Sequence, residues 1–120
     1  MVGVMIVDDD TFLHKVLERI LTIGGHFVVE HAYDGAEAIE KYVALNKRPD
    51  IVLMDHRMPV MNGVTATREI LHLDSSAVIV FISADNTVED EAMSVGALGF
   101  LTKPIRSKDL FDAIGKYVSS

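Results

Sequence analysis

Between Pro49-Asp50 and Asp55 the chain runs Ile51-Val52-Leu53-Met54, four apolar residues with no polar side chain among them. A strand with one face in water alternates apolar and polar; this one does not, so it reads as a strand buried on both faces. Strands of that kind belong to parallel sheets covered by helices on each side. The run stops abruptly at a carboxylate, Asp55, and Pro59 and Asn62-Gly63 punctuate the chain soon after. In an open parallel sheet, ligands bind at the carboxyl ends of the strands. Asp55 is therefore a helix cap, a metal ligand or a nucleophile, and the rest of the chain has to decide which.

The flanking sequence repeats the same alternation. Val2 to Val7 reads as a first strand stopping at Asp8-Asp9-Asp10. Phe12, Leu13, Val16, Leu17, Ile20 and Leu21 then fall on one helical face, with Asp10 as cap and Gly24-Gly25 as stop. Phe27 to Ala32 is a second strand. Asp34 and Glu37 have the spacing of a capping box ahead of a helix carrying Ala36, Ile39, Tyr42 and Val43, ending near Arg48-Pro49. Asn62-Gly63 opens a third helix with Ala66, Ile70, Leu71 and Leu73. Ala77 to Ile82 is a fourth strand. A weak helix from Val88 to Val95 starts with Glu89, Asp90 and Glu91, which suits the helix dipole, and Gly96 stops it. Gly99 to Thr102 is a short fifth strand, followed by Lys103-Pro104. Ser107 is expected to cap a last helix with Leu110, Ile114, Tyr117 and Val118 on its face.

Five strands alternating with five helices predict a doubly wound α/β domain over residues 1–120, with a parallel sheet in the order 2-1-3-4-5 and helices on both faces. Ser120 lies just past the last helix, so no output domain is expected. With 18 acidic against 11 basic residues and a formal charge of −7, the surface does not suit nucleic acid or an acidic membrane. The chain has no cysteine, hence neither a disulfide framework nor a thiolate metal site. The start lacks a basic n-region and reads as a strand, not a signal peptide, and a cytoplasmic location is the expectation.

In the predicted order, strands 1 and 3 are neighbours. Asp8, Asp9 and Asp55 then converge, and Ser83 and Lys103 leave the same sheet edge. Crowded carboxylates repel, so one of them should have a raised pKa unless a cation is present. An all-oxygen set suits a hard ion such as Mg2+, with Mn2+ as a second choice. Lys103 can neutralise a phosphoryl oxygen as a point charge, and Ser83 can donate a hydrogen bond to another. A carboxylate between them can attack phosphorus to give an acyl phosphate.

The set Asp8-Asp9, Asp55, Ser83-Ala84 and Lys103-Pro104, in this order across the whole chain, resembles the receiver domain of two-component response regulators. Its fold is flavodoxin-like, and chemotaxis receivers are a standard example of the 2-1-3-4-5 order. The resemblance implies that Asp55 is the phosphoacceptor. Asp9 would bind Mg2+ directly, Asp8 mainly through water, and the Arg57 backbone carbonyl would be a further ligand. Ser83 and Lys103 would contact the phosphoryl group, Ala84 would leave room for it, and the Lys103-Pro104 bond would be cis. Ser83 and Phe100 would form the switch, altering the face of helix 4, strand 5 and helix 5 that partners use. The donor would be the phosphohistidine of a sensor histidine kinase or a histidine phosphotransfer protein. The receiver would be a monomer or a phosphorylation-dependent dimer. Phe100 and Ser83 stand where many receivers carry Tyr and Thr. Arg57 and Asp85 flank the pocket and are expected to pair across its mouth, hindering the attacking water.

Three other readings compete. A phosphatase or phosphotransferase enzyme of haloacid-dehalogenase type would use a second Asp two residues after the nucleophile, where this chain has Arg57. A flavodoxin-like FMN binder would need a hydroxyl- or glycine-rich loop after strand 1, where Asp8-Asp9-Asp10 would repel a phosphate. A degenerate receiver would lack phosphorylation residues that are all present here. The five histidines (His14, His26, His31, His56 and His72) have no ligand spacing and are expected at the surface or partly buried.

Overall fold

The computed structural model describes residues 1–118, and the expectation that the chain stops at Ser120 falls outside them. The elements are β1 (Gly3–Val7), α1 (Thr11–Ile23), β2 (Phe27–Ala32), α2 (Gly35–Ala44), β3 (Ile51–Met54), α3 (Gly63–Leu73), β4 (Ile79–Ser83), α4 (Glu89–Ser94), β5 (Gly99–Thr102) and α5 (Ser107–Tyr117), with a single 3-10 turn, Asn86–Val88, leading into α4. All strand pairs are parallel and the order is β2-β1-β3-β4-β5. This is the doubly wound, flavodoxin-like arrangement.

The period of two along each strand divides the core into two layers. Met5, Val7, Val52, Met54, Ile79 and Phe81 pack with Ala38, Tyr42, Val64, Ile70 and Ala92, so α2, α3 and α4 cover one face. Val4, Ile6, Ile51, Leu53, Val80 and Ile82 pack with Leu17, Leu21, Leu110 and Ile114, so α1 and α5 cover the other. Every residue of β1, β3 and β4 is buried, the outcome an unbroken apolar run demands. Among the described residues no helix is long and apolar enough to cross a membrane.

Several local expectations shift. The buried stripe of α1 is His14, Leu17 and Leu21, while Phe12 is 71 % exposed. The helix is rotated so that His14 tucks under the end of β1, where the Asp8 carbonyl accepts its Nε2 hydrogen. α2 ends at Ala44 and not near Arg48, because Leu45 is already extended. β4 starts two residues later than read and takes in Ser83, which pairs with Thr102 of β5. Ser107 is the first residue of α5 and does not cap it; Arg106 holds that position with no side-chain bond. Other caps fall where expected. Asp10 accepts from Phe12 and Leu13, Asn62 from Thr65, and Asp34 from Glu37. Glu37 reaches back to the Tyr33 amide, one residue beyond the usual capping-box partner.

Candidate functional site

Strand register builds the site. Val7 of β1 lies opposite Met54 of β3, so the next residues, Asp8 and Asp55, leave the sheet side by side. The Asp55 amide donates to the Val7 carbonyl at 2.9 Å and fixes that level. Ser83 lies opposite Thr102, and the Lys103 amide donates to the Ser83 carbonyl at 2.9 Å. Four neighbouring strands thus deliver Asp8, Asp55, Ser83 and Lys103 to one edge, at the crossover between β1 and β3 where such sheets bind ligands.

Asp8, Asp9 and Asp55 each bring a carboxylate oxygen to within 4.8 Å of the others. Asp8 and Asp55 are buried, at 2 % and 7 % exposure, and Asp9 is open to solvent. This clustering has an electrostatic cost. Burial, and then the charge of Asp8, push the Asp55 carboxyl up to about 6, with Lys103 pulling the other way. The Lys103 ammonium lies 2.8 Å from Asp8 Oδ2 and 3.5 Å from Asp55 Oδ1. Burial alone would lower Lys103, but its bond to Asp8 and the charge of Asp55 hold it above the ordinary lysine range. The Lys103-Pro104 peptide is cis. A set of three carboxylates with no nitrogen or sulfur donor fits a hard divalent cation, which would offset the burial and the repulsion that raise Asp55.

The rest of the site is an open cleft of about 560 Å³ over Asp55, lined also by Arg57, Ser83, Ala84, Asp85, Thr87 and Lys103. Ala84 is exposed at its wall. Ser83 is buried, and its hydroxyl accepts the Asp85 amide at 3.1 Å. Phe100 on β5 is half-buried and stacks on Phe81, with ring centroids 6.1 Å apart and planes at 12°. Arg57 and Asp85 meet across the mouth, as expected from their positions: Asp85 Oδ2 accepts from Arg57 Nη2 at 2.6 Å and from Nε at 3.1 Å. The Thr87 hydroxyl first, and Arg57 next, draw the Asp85 carboxyl down to about 2.

The floor of the site is backbone packed on backbone. A Cβ on Gly63, the first residue of α3, would overlap the Asp55 carbonyl oxygen, and the Gly63 amide donates to the His56 carbonyl at 2.9 Å. Val60, in the loop before α3, has φ 68 and is 84 % exposed. That backbone is strained for a β-branched residue.

Two features escaped the sequence reading. His14 is buried, and its Nδ1 is 2.8 Å from Nδ1 of His31 on β2. A carbonyl can only accept, so His14 Nε2 carries the hydrogen toward Asp8, and Nδ1 accepts from His31. Burial holds His14 below the usual histidine range, which keeps it in this neutral form. The spacing His14, Leu17, Leu21 (i, i+3, i+7) was the available signal. The second is Thr87, whose hydroxyl and amide both reach Asp85; nothing in the sequence marks it.

Comparison with known proteins agrees with this geometry. The profile of the response regulator receiver domain matches residues 4–115. The chain is 41% identical over 115 residues to a chemotaxis protein CheY of Thermotoga maritima, covering 94% of each chain. It is 38% identical to a CheY of Bacillus subtilis, again covering 94% of each. Among solved structures, it superimposes on CheY from a Borrelia burgdorferi CheX–CheY complex with beryllofluoride and magnesium. The TM-score is 0.91 and the identity 32%, over 98% of this chain and 90% of that one. The chain therefore belongs to the response regulator receiver family, the phosphorylation-activated switches of two-component signalling.

Proposed function

We propose that this receiver takes a phosphoryl group from the phosphohistidine of a sensor histidine kinase or histidine phosphotransfer protein onto Asp55. The observation that carries the reading is the convergence of Asp8, Asp9 and Asp55 oxygens within 4.8 Å beside Ser83 and Lys103. An Asp55 carboxylate oxygen attacks phosphorus, the P–N bond to the donor imidazole breaks, and the electron pair leaves with the imidazole nitrogen. Asp8, Asp9, Asp55 and the Arg57 carbonyl would hold Mg2+, or Mn2+, which offsets the charge of the carboxylates and the phosphoryl oxygens. The remaining work is positioning. Lys103 neutralises one phosphoryl oxygen, Ser83 donates to another, and Ala84 keeps the approach open. The chain acts as a switch and not as an enzyme on outside substrates.

Transmission runs through Ser83 and Phe100. A hydroxyl turned toward the phosphoryl group lets Phe100 repack, a two-state change biased by new charge. The output face is α4, β5 and α5, where Met93 and Leu98 are 41 % and 44 % exposed and can meet a downstream protein. The protein acts in the cytoplasm, by protein contact, as a monomer or a phosphorylation-dependent dimer. The test is incubation with Mg2+ and acetyl phosphate followed by intact-mass spectrometry. One added phosphoryl group, absent in Asp55→Asn, is expected. No modification, or modification that survives in Asp55→Asn, refutes the assignment. Fast turnover of many donor equivalents would point instead to a phosphatase.

A further inference from the structure

We propose that Arg57 and Asp85 form a latch that the phosphoryl group opens, so that the state of Asp55 reaches α4 through Asp85 as well as through Ser83 and Phe100. The proposal rests on Asp55 being the phosphoacceptor. It starts from the way Asp85 divides its bonds. Oδ2 takes both Arg57 donors, at 2.6 and 3.1 Å. Oδ1 takes the Thr87 amide at 3.0 Å and the Thr87 hydroxyl, capping the 3-10 turn that leads into α4. The Asp85 amide is held by the Ser83 hydroxyl at 3.1 Å.

α4 has little else to hold it. Its N-cap, Val88, makes no side-chain bond, and Ala92 is the single buried residue among its six. Asp85 is thus the link between the pocket and the start of this helix. The two groups that hold Asp85 from the site side, the Ser83 hydroxyl and the Arg57 guanidinium, both line the cleft that receives the phosphoryl group.

The Arg57 side chain is 77 % exposed, so its guanidinium is free to swing about a stem rooted two residues after Asp55. A phosphoryl dianion carries more charge than the Asp85 carboxylate and offers the geometry that a guanidinium fork fits. When Ser83 and Arg57 turn to it, Asp85 loses both bonds to the pocket and keeps its hold on Thr87. The segment from Asp85 to Val88 then moves with the start of α4.

The test uses the full chain with beryllofluoride and Mg2+ as the phosphoryl mimic, titrated into wild type, Arg57→Ala, Asp85→Asn and the double variant. Asparagine retains an Oδ1 acceptor, so the cap and the fold survive. Asp85→Asn should bind the mimic more tightly, by up to about fivefold, because the latch no longer competes for Arg57. Arg57→Ala should bind it more weakly, and adding Asp85→Asn to Arg57→Ala should change nothing further. In free Asp85→Asn, amide resonances of Thr87 to Ala92 should lie part of the way toward their positions in mimic-bound wild type. Equal tightening by Asp85→Asn with and without Arg57 would show that Asp85 acts by its charge alone and would overturn the latch. So would α4 resonances that stay at the free wild-type positions. A wild type that binds no mimic refutes the phosphoacceptor reading and the latch together; one that binds it normally isolates the latch as the idea on trial.

Discussion

Asp10 and Asp85 perform the same task at two exits from the sheet. Each lies shortly past a site-bearing strand and caps the next element of the chain. Asp10 gives one oxygen to the Phe12 and Leu13 amides and opens a helix of 13 residues anchored by His14, Leu17 and Leu21. Asp85 gives one oxygen to a 3-10 turn, lends the other to Arg57, and leads into a helix of six residues with a single buried alanine. The first cap fixes a support, and the second couples a weakly held element to the pocket. Low local stability is what a moving part requires, and here it is concentrated on one side of the site.

The largest effect should come from the support. Leu17→Ala removes a fully buried side chain between α1 and the sheet and should cost about 3 kcal/mol in denaturant unfolding, whereas Met93→Ala on the exposed side of α4 should stay within about 0.5 kcal/mol. Comparable losses at both positions would erase the contrast.

Asp55 gives the next effect. Its carboxyl titrates near 6 in the fold against 3.8 in the unfolded chain, so the folded state favours the protonated form. Below about pH 4 there is no penalty; as pH rises through 4 to 6 the metal-free fold loses stability, by roughly 3 kcal/mol in all. Asp55→Asn should recover about that amount at pH 7.5 in chelator and almost nothing at pH 4. Mg2+ should narrow the gap by favouring the ionised Asp55 of the wild type. An equal gain at both pH values would mean that burial and the Asp8 charge do not set this carboxyl.

Asp10→Ala should cost about 1 kcal/mol of global stability, the usual loss for a cap with no other partner. The smallest and most local effect belongs to native-state hydrogen exchange. Amides of α4 should exchange well before those around Leu17 and Leu21, and addition of beryllofluoride with Mg2+ should alter the α4 amides alone of the two sets. Synchronous exchange of α1 and α4 would remove the distinction between them.

The sheet was legible because burial on both faces leaves no room for polar residues: Ile51 to Met54 announces a central strand by composition alone. The site was legible for the converse reason, since Asp8, Asp9 and Asp55 end such runs and a parallel order brings strand ends together. What stayed hidden depends on partners distant in sequence. The rotation of α1 that buries His14 and exposes Phe12 is set by His31, 17 residues away, and by the Asp8 carbonyl. For Asp85 the distant partner, Arg57, was anticipated, and it is the second hold, on Thr87, that was not. Val60 takes a left-handed backbone that its residue type argues against, so no propensity reading could have placed it.

The contact of Gly63 with Asp55 bears on how function is inferred from tolerance to substitution. Any side chain at position 63 would drive a carbon into the Asp55 carbonyl, and backbone on both sides leaves nothing flexible to yield. A saturation scan scored on signalling would therefore rank Gly63 with Asp55, although Gly63 has no side chain with which to bind or react. Intolerance there reports the spacing of two main chains. Separating that class from the chemical one takes a second screen, scored on folded yield: Gly63 variants should fail it, and Asp55→Asn should pass.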